Sequence, residues 1–444
     1  MSRLIRAAAE AESGNIEACR NIVSSLQEGH VKAASANLQD PGILANVTAE
    51  ISEVIQALMN IITAAIMLRE VSPRTLDTII GKGEILSCHL MVALLHDRGI
   101  DAQLVDLANI TPVEAPREVN QAFYAAYATA LLPILAACGS RVPVVTGFFG
   151  PVPGGLLTQV GRGYTDLCAA LVSIALSASE LQIWKEVDGI FSADPRKVVT
   201  ARLLQTITPA EAAELTFFGS EVLHPFTMEQ IVRQCIPIRI KNTTKPAAAG
   251  TLIVPDPIGT STECTEARSS ISGPSLFRTR RSQAFSLNER IKRPTAVTAK
   301  NKILVINVHS NKRSFSHGYF AGIFSVLDKW RMSVDLISST ETNISMAFHC
   351  HREFVRGKNE ERRIVDTDLQ GAVLELTELG EVNLVDDLAI VSLVGKDLKN
   401  MTGIAGKMTT VLGDNGINIE MIAQGRSPIS VVSNSDINAH STPY

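Results

Sequence analysis

Apolar residues in the first half of the chain fall at helix spacing. Between Val54 and Leu68, the residues Ile55, Leu58, Met59, Ile61, Ile62, Ala65 and Ile66 describe a buried helix that ends at the charged pair Arg69 and Glu70. Ala122 to Cys138 reads as a second amphipathic or core helix, and Leu167, Ala170, Leu171 and Ile174 announce a third. Leu181-Gln-Ile-Trp184 is a short buried-strand pattern, and Asp188-Gly189 after it signals a turn. Helices between strands, with charged turns at the strand ends, predict an α/β layer whose ligands lie beyond the carboxyl edge of the sheet.

The pattern changes after the strand-like Thr251-Leu-Ile-Val254. From Pro255 to about Lys300 the chain is rich in Ser, Thr and Pro and shows no sustained period, which predicts a linker; its basic residues Arg278, Arg280 and Arg281 read as solvated charge. Beyond it one order appears twice. Ile303 to Asn307 is a strand, Gly318 to Trp330 a helix with Phe320, Ile323, Phe324 and Leu327 on one face, and Ser333 to Ile337 a strand again. Ala389 to Val394, Met401 to Leu412 and Ile417 to Ile422 repeat the series, so the last third is an internal duplication.

Composition narrows the function classes. With 444 residues, 45% hydrophobic and 19% charged, the chain can bury a large core in more than one domain. A net charge of −4 and a pI near 6.2 leave no electrostatic footprint for nucleic acid. Val54 to Leu68 falls short of the roughly 20 apolar residues of a membrane span, and Met1 to Glu10 is too short in apolar length for a secretory signal. Glu10 and Glu12 argue against a transit peptide. The seven cysteines are scattered without a Cys-x-x-Cys pair, the usage of reduced buried thiols rather than of disulfides or zinc. These features predict a cytoplasmic protein with no membrane partner.

The densest chemistry lies in Val160-Gly-Arg-Gly-Tyr-Thr-Asp-Leu167. Gly161 and Gly163 let the backbone approach a ligand, Arg162 offers a fork of donors, and Thr165 or Asp166 can cap the helix that follows. A helix start preceded by glycines collects anions. On those residues alone, a tight strand-to-helix turn with a solvated arginine is equally compatible. Asp194-Pro195-Arg196 adds an acid and a base in a rigid turn.

Four strings extend the picture: Gly161 to Asp166, Trp184-Lys-Glu-Val-Asp-Gly-Ile-Phe-Ser-Ala-Asp-Pro-Arg196, Phe218-Gly-Ser-Glu-Val-Leu-His-Pro225 and Ile236-Pro-Ile-Arg-Ile-Lys-Asn242. Together they resemble the aspartate kinases, in the wording of the fungal branch, and the likeness runs from about Ser72 to Gly425. The resemblance implies an amino-acid kinase fold, a largely parallel sheet with helices on both faces, over residues 1–254. It implies a linker over 255–300 and two ferredoxin-like βαββαβ ACT units over 301–385 and 386–444. The implied reaction moves the γ-phosphoryl group of ATP, with Mg2+, to the side-chain carboxylate of L-aspartate, the entry to threonine, methionine and isoleucine. A carboxylate with a reference pKa of about 3.9 is already ionised, so such a site needs cations and N–H groups rather than a general base.

Site roles follow from the same resemblance. Arg162 is expected to hold the α-carboxylate of aspartate, Glu84 in Gly81-Lys-Gly-Glu-Ile-Leu-Ser87 to receive its ammonium, and Thr165 and Asp166 to lie beside the reacting groups. Gly161, Gly163, Lys185, Glu186, Asp188, Phe191, Asp194 and Arg196 are implied around the nucleotide. His224 matches a histidine near the aspartate, with a histidine satisfied in the loop before Pro225 as the equal alternative. The ACT units imply a homodimer and threonine as effector, with Asp335 and Asn418 as side-chain contacts unless they are ordinary turn polarity. Tyr164 and Glu221 stand where bacterial members carry other residues, and both match fungal usage.

Two departures qualify the expectation. The family's opening Lys-Phe-Gly-Gly-Thr-Ser, whose lysine contacts the phosphates, occurs nowhere in this chain, whose start resembles the region just after the family's first βαβ unit. Losing one preorganised donor at such a site costs about a hundredfold to a thousandfold in rate. A missed first exon and a weakly active paralogue, serving a specialised route such as a fusaric-acid-type metabolite, both account for this. A non-catalytic partner of an intact kinase, or a kinase for glutamate, carbamate or a nucleotide, are the other readings. The second ACT copy lacks the family's closing helix and strand after Gly425, which predicts weakened feedback. In a calorimetric titration, threonine is expected to bind weakly and to inhibit incompletely; tight binding with full inhibition contradicts this.

Overall fold

The computed structural model describes the whole chain except residues 109, 111–118, 151, 153, 218–229, 232–233, 255–293, 311–317, 341, 350–354, 357–362, 365, 396–397, 426–427 and 435–444, and the side chains of Arg162, Val355, Arg356, Arg363 and Lys399. The chain divides into two compact units, Met1–Ile183 with Leu223–Arg239, and Trp184–Val222 with Ile240–Tyr444.

The first unit opens with four helices, α1 (Ser2–Glu12), α2 (Ile16–Asn37), α3 (Pro41–Leu68) and α4 (Pro73–Asp97). Each of the last three starts on a polar cap. Asn15 accepts from Ala18 N, Asp40 from Gly42 N and Ile43 N, and Ser72 from Thr75 N, with proline first in α3 and α4. Such a cap stabilises a helix by about 1 kcal/mol, and proline costs nothing at the first position because its N–H would be unpaired there. Helix α3 is longer than its apolar pattern suggested because Asp40-Pro41 starts it thirteen residues before Val54. Its stripe Val47, Ile51, Ile55, Leu58, Ile62 and Ala65 is buried in one cluster with Leu4, Ala8, Ile79 and Leu86. Fully burying one such aliphatic side chain is worth about 1.5–3 kcal/mol. By length and composition α3 and α4 are also able to cross a membrane.

Strands β1 (Ala102–Val105) and β2 (Val142–Val145) pair in parallel, Ala102 opposite Val142 and Val105 opposite Val145. Helix α5 (Gln121–Ala136) connects them, capped by Asn120 on Phe123 N, and its Phe123, Tyr127, Leu131 and Leu135 enter the core. The short α6 (Leu156–Gln159), a 3-10 turn (Gly161–Gly163) and α7 (Tyr164–Ala175) complete this part, and strand β3 (Leu181–Lys185) follows.

The second unit holds β4 (Thr206–Ile207), α8 (Pro209–Phe217) and β6 (Thr251–Ile253), with β5 (Ile238–Asn242) between the last two in sequence. The four-stranded sheet has the order β3-β5-β6-β4, and β4 runs parallel to β6.

The duplicated last third forms one antiparallel sheet rather than two. Its strands are β7 (Ala296–His309), β8 (Leu336–Ser339), β9 (Asn343–His349), β12 (Glu381–Val394), β13 (Ile419–Gln424) and β14 (Pro428–Asn434), in the order β13-β14-β12-β7-β9-β8. The short hairpin β10 (Val355–Arg356) and β11 (Arg363–Ile364) stands apart, and α9 (Tyr319–Lys329), α10 (Thr367–Thr377) and α11 (Ile404–Asp414) connect strands.

Strands β7 and β12 pair along nearly their whole length and serve both copies. Residues 303–309 of β7 and 381–385 of β12 supply the first and last strands of the first copy. Residues 388–394 of β12 then start the second copy, and 296–300 of β7 stand in its closing position. Each copy therefore has the order last-first-third-second, the order of a βαββαβ unit. The strand that the sequence left missing after Gly425 is replaced from the N-terminal side; among the described residues the second copy has the single helix α11 between its strands. Two opposite register shifts mark the junction, one on each side of Leu388, and each long strand carries a positive φ there, Asp387 at 57° and Lys302 at 59°. Paired bulges of this kind bend both strands and restore their register.

Helices α9 and α10 cover one face through Ile323, Leu327, Leu369 and Leu376 over Leu304, Ile306 and Val308. On the other face Ile303, Val305, Leu388, Ile390, Met421 and Val432 form a second cluster with Leu336 and Ala423 against it. Residues of both edge strands, β8 and β13, thus share one core, which requires the sheet to curl. Phe320 and Phe324, expected on the buried face of α9, are partly exposed.

Candidate functional site

Site residues expected from the sequence lie on both units. In the first, β2 runs out through Thr146 into Gly147. Thr146 is buried, and its hydroxyl accepts from Leu107 N at 3.0 Å and donates to Phe148 O at 3.1 Å, so the strand end is fixed. Gly147 sits where two other elements close in: a Cβ there would stand 2.5 Å from Thr165 Cγ2, 3.0 Å from Glu84 Oε2 and 3.1 Å from Thr165 Oγ1. A carboxylate oxygen from α4 and a hydroxyl from the start of α7 therefore converge on a backbone without a side chain, at the carboxyl end of a parallel strand.

Glu84 is held in place by Tyr164, whose Oη donates to Glu84 Oε1 at 3.1 Å. Burial, and then the Glu84 carboxylate, push the Tyr164 phenol well above its ordinary value, so it stays a donor. Tyr164 opens α7, with Gly163 as its N-cap and no side-chain cap bond. Thr165 and Asp166 consequently lie inside the first turn and do not cap it, contrary to the expectation, because the chain enters α7 directly from the 3-10 turn Gly161–Gly163. Thr165 is exposed and Asp166 half-buried. Gly161 adopts φ +81°, a conformation that favours glycine. The Arg162 side chain lies outside the described residues.

A second carboxylate fixes the approach to that turn. Asp77, on α4 and 3% exposed, accepts from Leu156 N and from Leu157 N, the latter at 3.1 Å. It thereby caps α6 from a position 79 residues earlier in the chain. Burial pushes its carboxyl above the usual range, and the two backbone donors offset this only in part. Arg74, Asp77, Lys82, Asp106 and Phe148 line a cavity of about 270 Å3 on the same side of α4.

In the second unit the turn after β3 is tied down residue by residue. Lys185 O accepts from Thr243 N at 2.9 Å, and Asp188 accepts from Asn242 Nδ2 at 2.6 Å and from Lys245 Nζ at 2.9 Å. Lys245 first and Asn242 second hold the Asp188 carboxyl below its usual range. Ile190 N donates to Thr251 Oγ1 at 2.9 Å, and Phe191 forms an isolated bridge with Leu203. Asp194 accepts from Arg196 N at 3.0 Å and from its Nε at 3.2 Å; burial works against its ionisation, and these donors outweigh it and keep the carboxyl low. Glu186 is exposed and Lys185 half-buried.

This turn and the six-stranded sheet are linked within the unit. Val297 N donates to Ser192 O at 2.8 Å, and Thr295 Oγ1 to Glu211 Oε1 at 2.6 Å. Lys300 Nζ binds Asp335 Oδ2 at 2.7 Å and lies 5.6 Å from the Phe217 ring centroid. Asp335, expected as an effector contact, is thus engaged with Lys300, while Asn418 is exposed just before β13.

An amino acid kinase family model matches residues 8–242, and an ACT domain model matches 391–437. The aspartokinase of Schizosaccharomyces pombe is 46% identical over 431 residues, which are 97% of this chain and 79% of that protein. The chain belongs to the aspartokinase family. Within the family, the aspartate kinase FUB3 of Gibberella fujikuroi is 41% identical over 417 residues, covering 93% of this chain and 78% of that one. The E. coli aspartokinase III complex with aspartate and ADP superimposes with a TM-score of 0.69 at 28% identity, over 98% of this chain and 88% of that one.

In this aspartokinase the structure brings Glu84 and Thr165 together, and it gathers Lys185 to Arg196 into a second, separately described group. His224 and the whole Phe218 to Pro225 string lie outside the described residues. Asp77, Thr146, Gly147, Asn242 and Thr251 were not singled out from the sequence as site residues. Asn242 closes a string that was quoted, and the Thr146-Gly147 step at a strand end was the available signal for a close approach. Cysteine usage departs from expectation at one place: Cys19, Cys88, Cys138 and Cys168 are free and buried, but Cys235 is disulfide-bonded. Burial and the nearby Glu84 and Asp106 push the Cys88 thiol up to about 12.

The raised Asp77 pKa has a signed consequence. The folded state takes up a proton at higher pH than the unfolded chain, so this contribution to stability is full at low pH and is lost as pH rises through the folded value. The melting temperature of the wild type minus that of Asp77→Asn is therefore expected to be larger near pH 4.5 than near pH 7.5. A difference that is flat or reversed in thermal melts refutes this account.

Proposed function

We propose that the chain is an ATP:L-aspartate phosphotransferase that forms 4-phospho-L-aspartate. The observation that supports this most directly is the convergence of Glu84 and Thr165 on the side-chain-free backbone at Gly147. A carboxylate fixed by a phenol is suited to an ammonium group, and the absence of a side chain at Gly147 lets Thr165 come up beside it. In this reading Glu84 takes the ammonium of aspartate, Arg162 its α-carboxylate, and Thr165 with the N–H groups that open α7 faces the transferring phosphoryl group. Helix starts favour anions, and donors set in advance cost no reorganisation during transfer. His224 belongs to the same amino-acid side.

Lys185, Glu186, Phe191, Asp194 and Arg196 frame the nucleotide. The reacting carboxylate is already ionised, so the chain's task is to place two anions in line and to offset their repulsion. Magnesium rides on the phosphates with one or two carboxylates rather than in a protein cage. Asp166, half-buried in the first turn of α7, suits that role; when bound, the ion neutralises charge on the phosphate oxygens. Threonine as effector and a homodimer through the ACT sheet complete the reading.

Trapping the product with hydroxylamine tests it. Aspartate and ATP are expected to give hydroxamate and glutamate none; no hydroxamate from aspartate overturns the proposal. Gly147→Ala is expected to lower the melting temperature, because its Cβ crowds Thr165 and Glu84, and to lose about a hundredfold in kcat/KM, the cost of displacing a reactant by about 1 Å. Unchanged kinetics in that variant remove Glu84 and Thr165 from the amino-acid site.

A further inference from the structure

The turn from Lys185 to Asp188 is supported by side chains that no motif assigned to it. Asn242, 6% exposed at the end of β5, uses both ends of its amide. Its Nδ2 donates to Asp188 Oδ1 at 2.6 Å and lies 3.5 Å from Glu186 O. Its Oδ1 accepts from Thr244 N at 2.9 Å and from Thr244 Oγ1 at 2.8 Å. The remaining Asp188 oxygen takes Lys245 Nζ at 2.9 Å, and Thr243 holds Lys185 O with its N–H and hydroxyl. Asn242, Thr243 and Lys245 therefore hold Lys185, Glu186 and Asp188, and Thr244 orients the Asn242 amide.

We infer that Asn242 and Asp188 form a positioning pair for the nucleotide turn, and that the Asp188 carboxylate is spent on this scaffold rather than on the nucleotide. Two physical arguments lead there. A buried amide that donates on one side and accepts on the other cannot be replaced by a hydrophobic or an acidic residue without leaving a partner unpaired. A carboxylate beside a triphosphate is repulsive unless its charge is matched, and Lys245 and Asn242 match it within the network. Lys185 is then the residue of this turn that suits the phosphates, and Asn242 sets its position from behind. The inference rests on the reading that residues 185–196 receive ATP.

The test titrates ADP and aspartate into the full-length chain by calorimetry, with thermal melts alongside. Asn242→Asp sets two carboxylates against each other, and ADP affinity is expected to fall about tenfold or more, as for coupled neighbours in one network. Aspartate affinity is expected to stay at the wild-type value. The exchange D188N/N242D restores a donor opposite an acceptor and is expected to recover ADP affinity to within about threefold. Asp188→Asn alone keeps the acceptor for Asn242 and is expected to bind ADP to within the same margin.

ADP binding by N242D equal to wild type overturns the inference. So does a tenfold loss in D188N, which makes Asp188 a ligand, or a parallel loss of ADP and aspartate affinity that the exchange does not recover. A wild-type chain that binds aspartate but no ADP overturns the reading of the turn itself.

Discussion

Both working surfaces depend on the close approach of a backbone that has no side chain. At Gly147 the strand end meets a threonine from α7 closer than a Cβ allows, and a carboxylate from α4 at the tight edge of contact. At Gly189, with φ +142°, the turn after β3 would run into Thr251 Oγ1 if it carried a side chain. In the proposed reaction, which joins two anions, such approaches have a use. Backbone N–H groups and short polar side chains must reach the ligand, and a methyl group at either place would push them back. Glycine makes that approach possible but fixes nothing, so the surrounding residues must supply rigidity.

They supply it through buried polar groups rather than through apolar packing alone. Thr146 accepts and donates at once, Asp77 gathers two backbone N–H groups, Thr251 accepts from Ile190 N and donates to Leu204 O at 2.7 Å, and Tyr164 holds Glu84. Each such group costs about 1–3 kcal/mol if its partner is removed, which makes the geometry hard to deform. The apolar core beneath, such as the α3 stripe against α1 and α4, provides stability without specifying where these few atoms lie.

The sequence revealed what depends on short-range pattern. The helix after Asp166, the strand at Leu181, the turn at Asp188-Gly189 and the doubled strand-helix-strand order were all legible, because each is set by spacing within about a dozen residues. What it hid depends on pairs far apart. Asp77 meets Leu156 across 79 residues, and Asn242 meets Asp188 across 54. No periodicity announces such contacts. The cap of α7 was misread for a related reason: a threonine or aspartate near a helix start signals a cap only when a non-helical residue precedes it, and the 3-10 turn removes that break.

The regulatory sheet shows the same limit at larger scale. Read in order, the second copy ends one strand short, yet β7 reaches past its own copy to stand in the vacant place, with bulges at Lys302 and Asp387 where the two long strands change partners. Strand β7 thereby gains neighbours on both sides of the junction. Its early residues contact the turn after β3 through Val297 and Ser192 and α8 through Thr295 and Glu211, while Lys300 meets Asp335 just before β8. A half-buried ion pair such as Lys300 with Asp335 is not cheaply opened, since breaking it leaves one charge poorly solvated. Lys300 thus ties the residue before β8 to the same strand whose N-terminal end bonds to Ser192. That continuity is a property of one shared strand, which pairs in both copies.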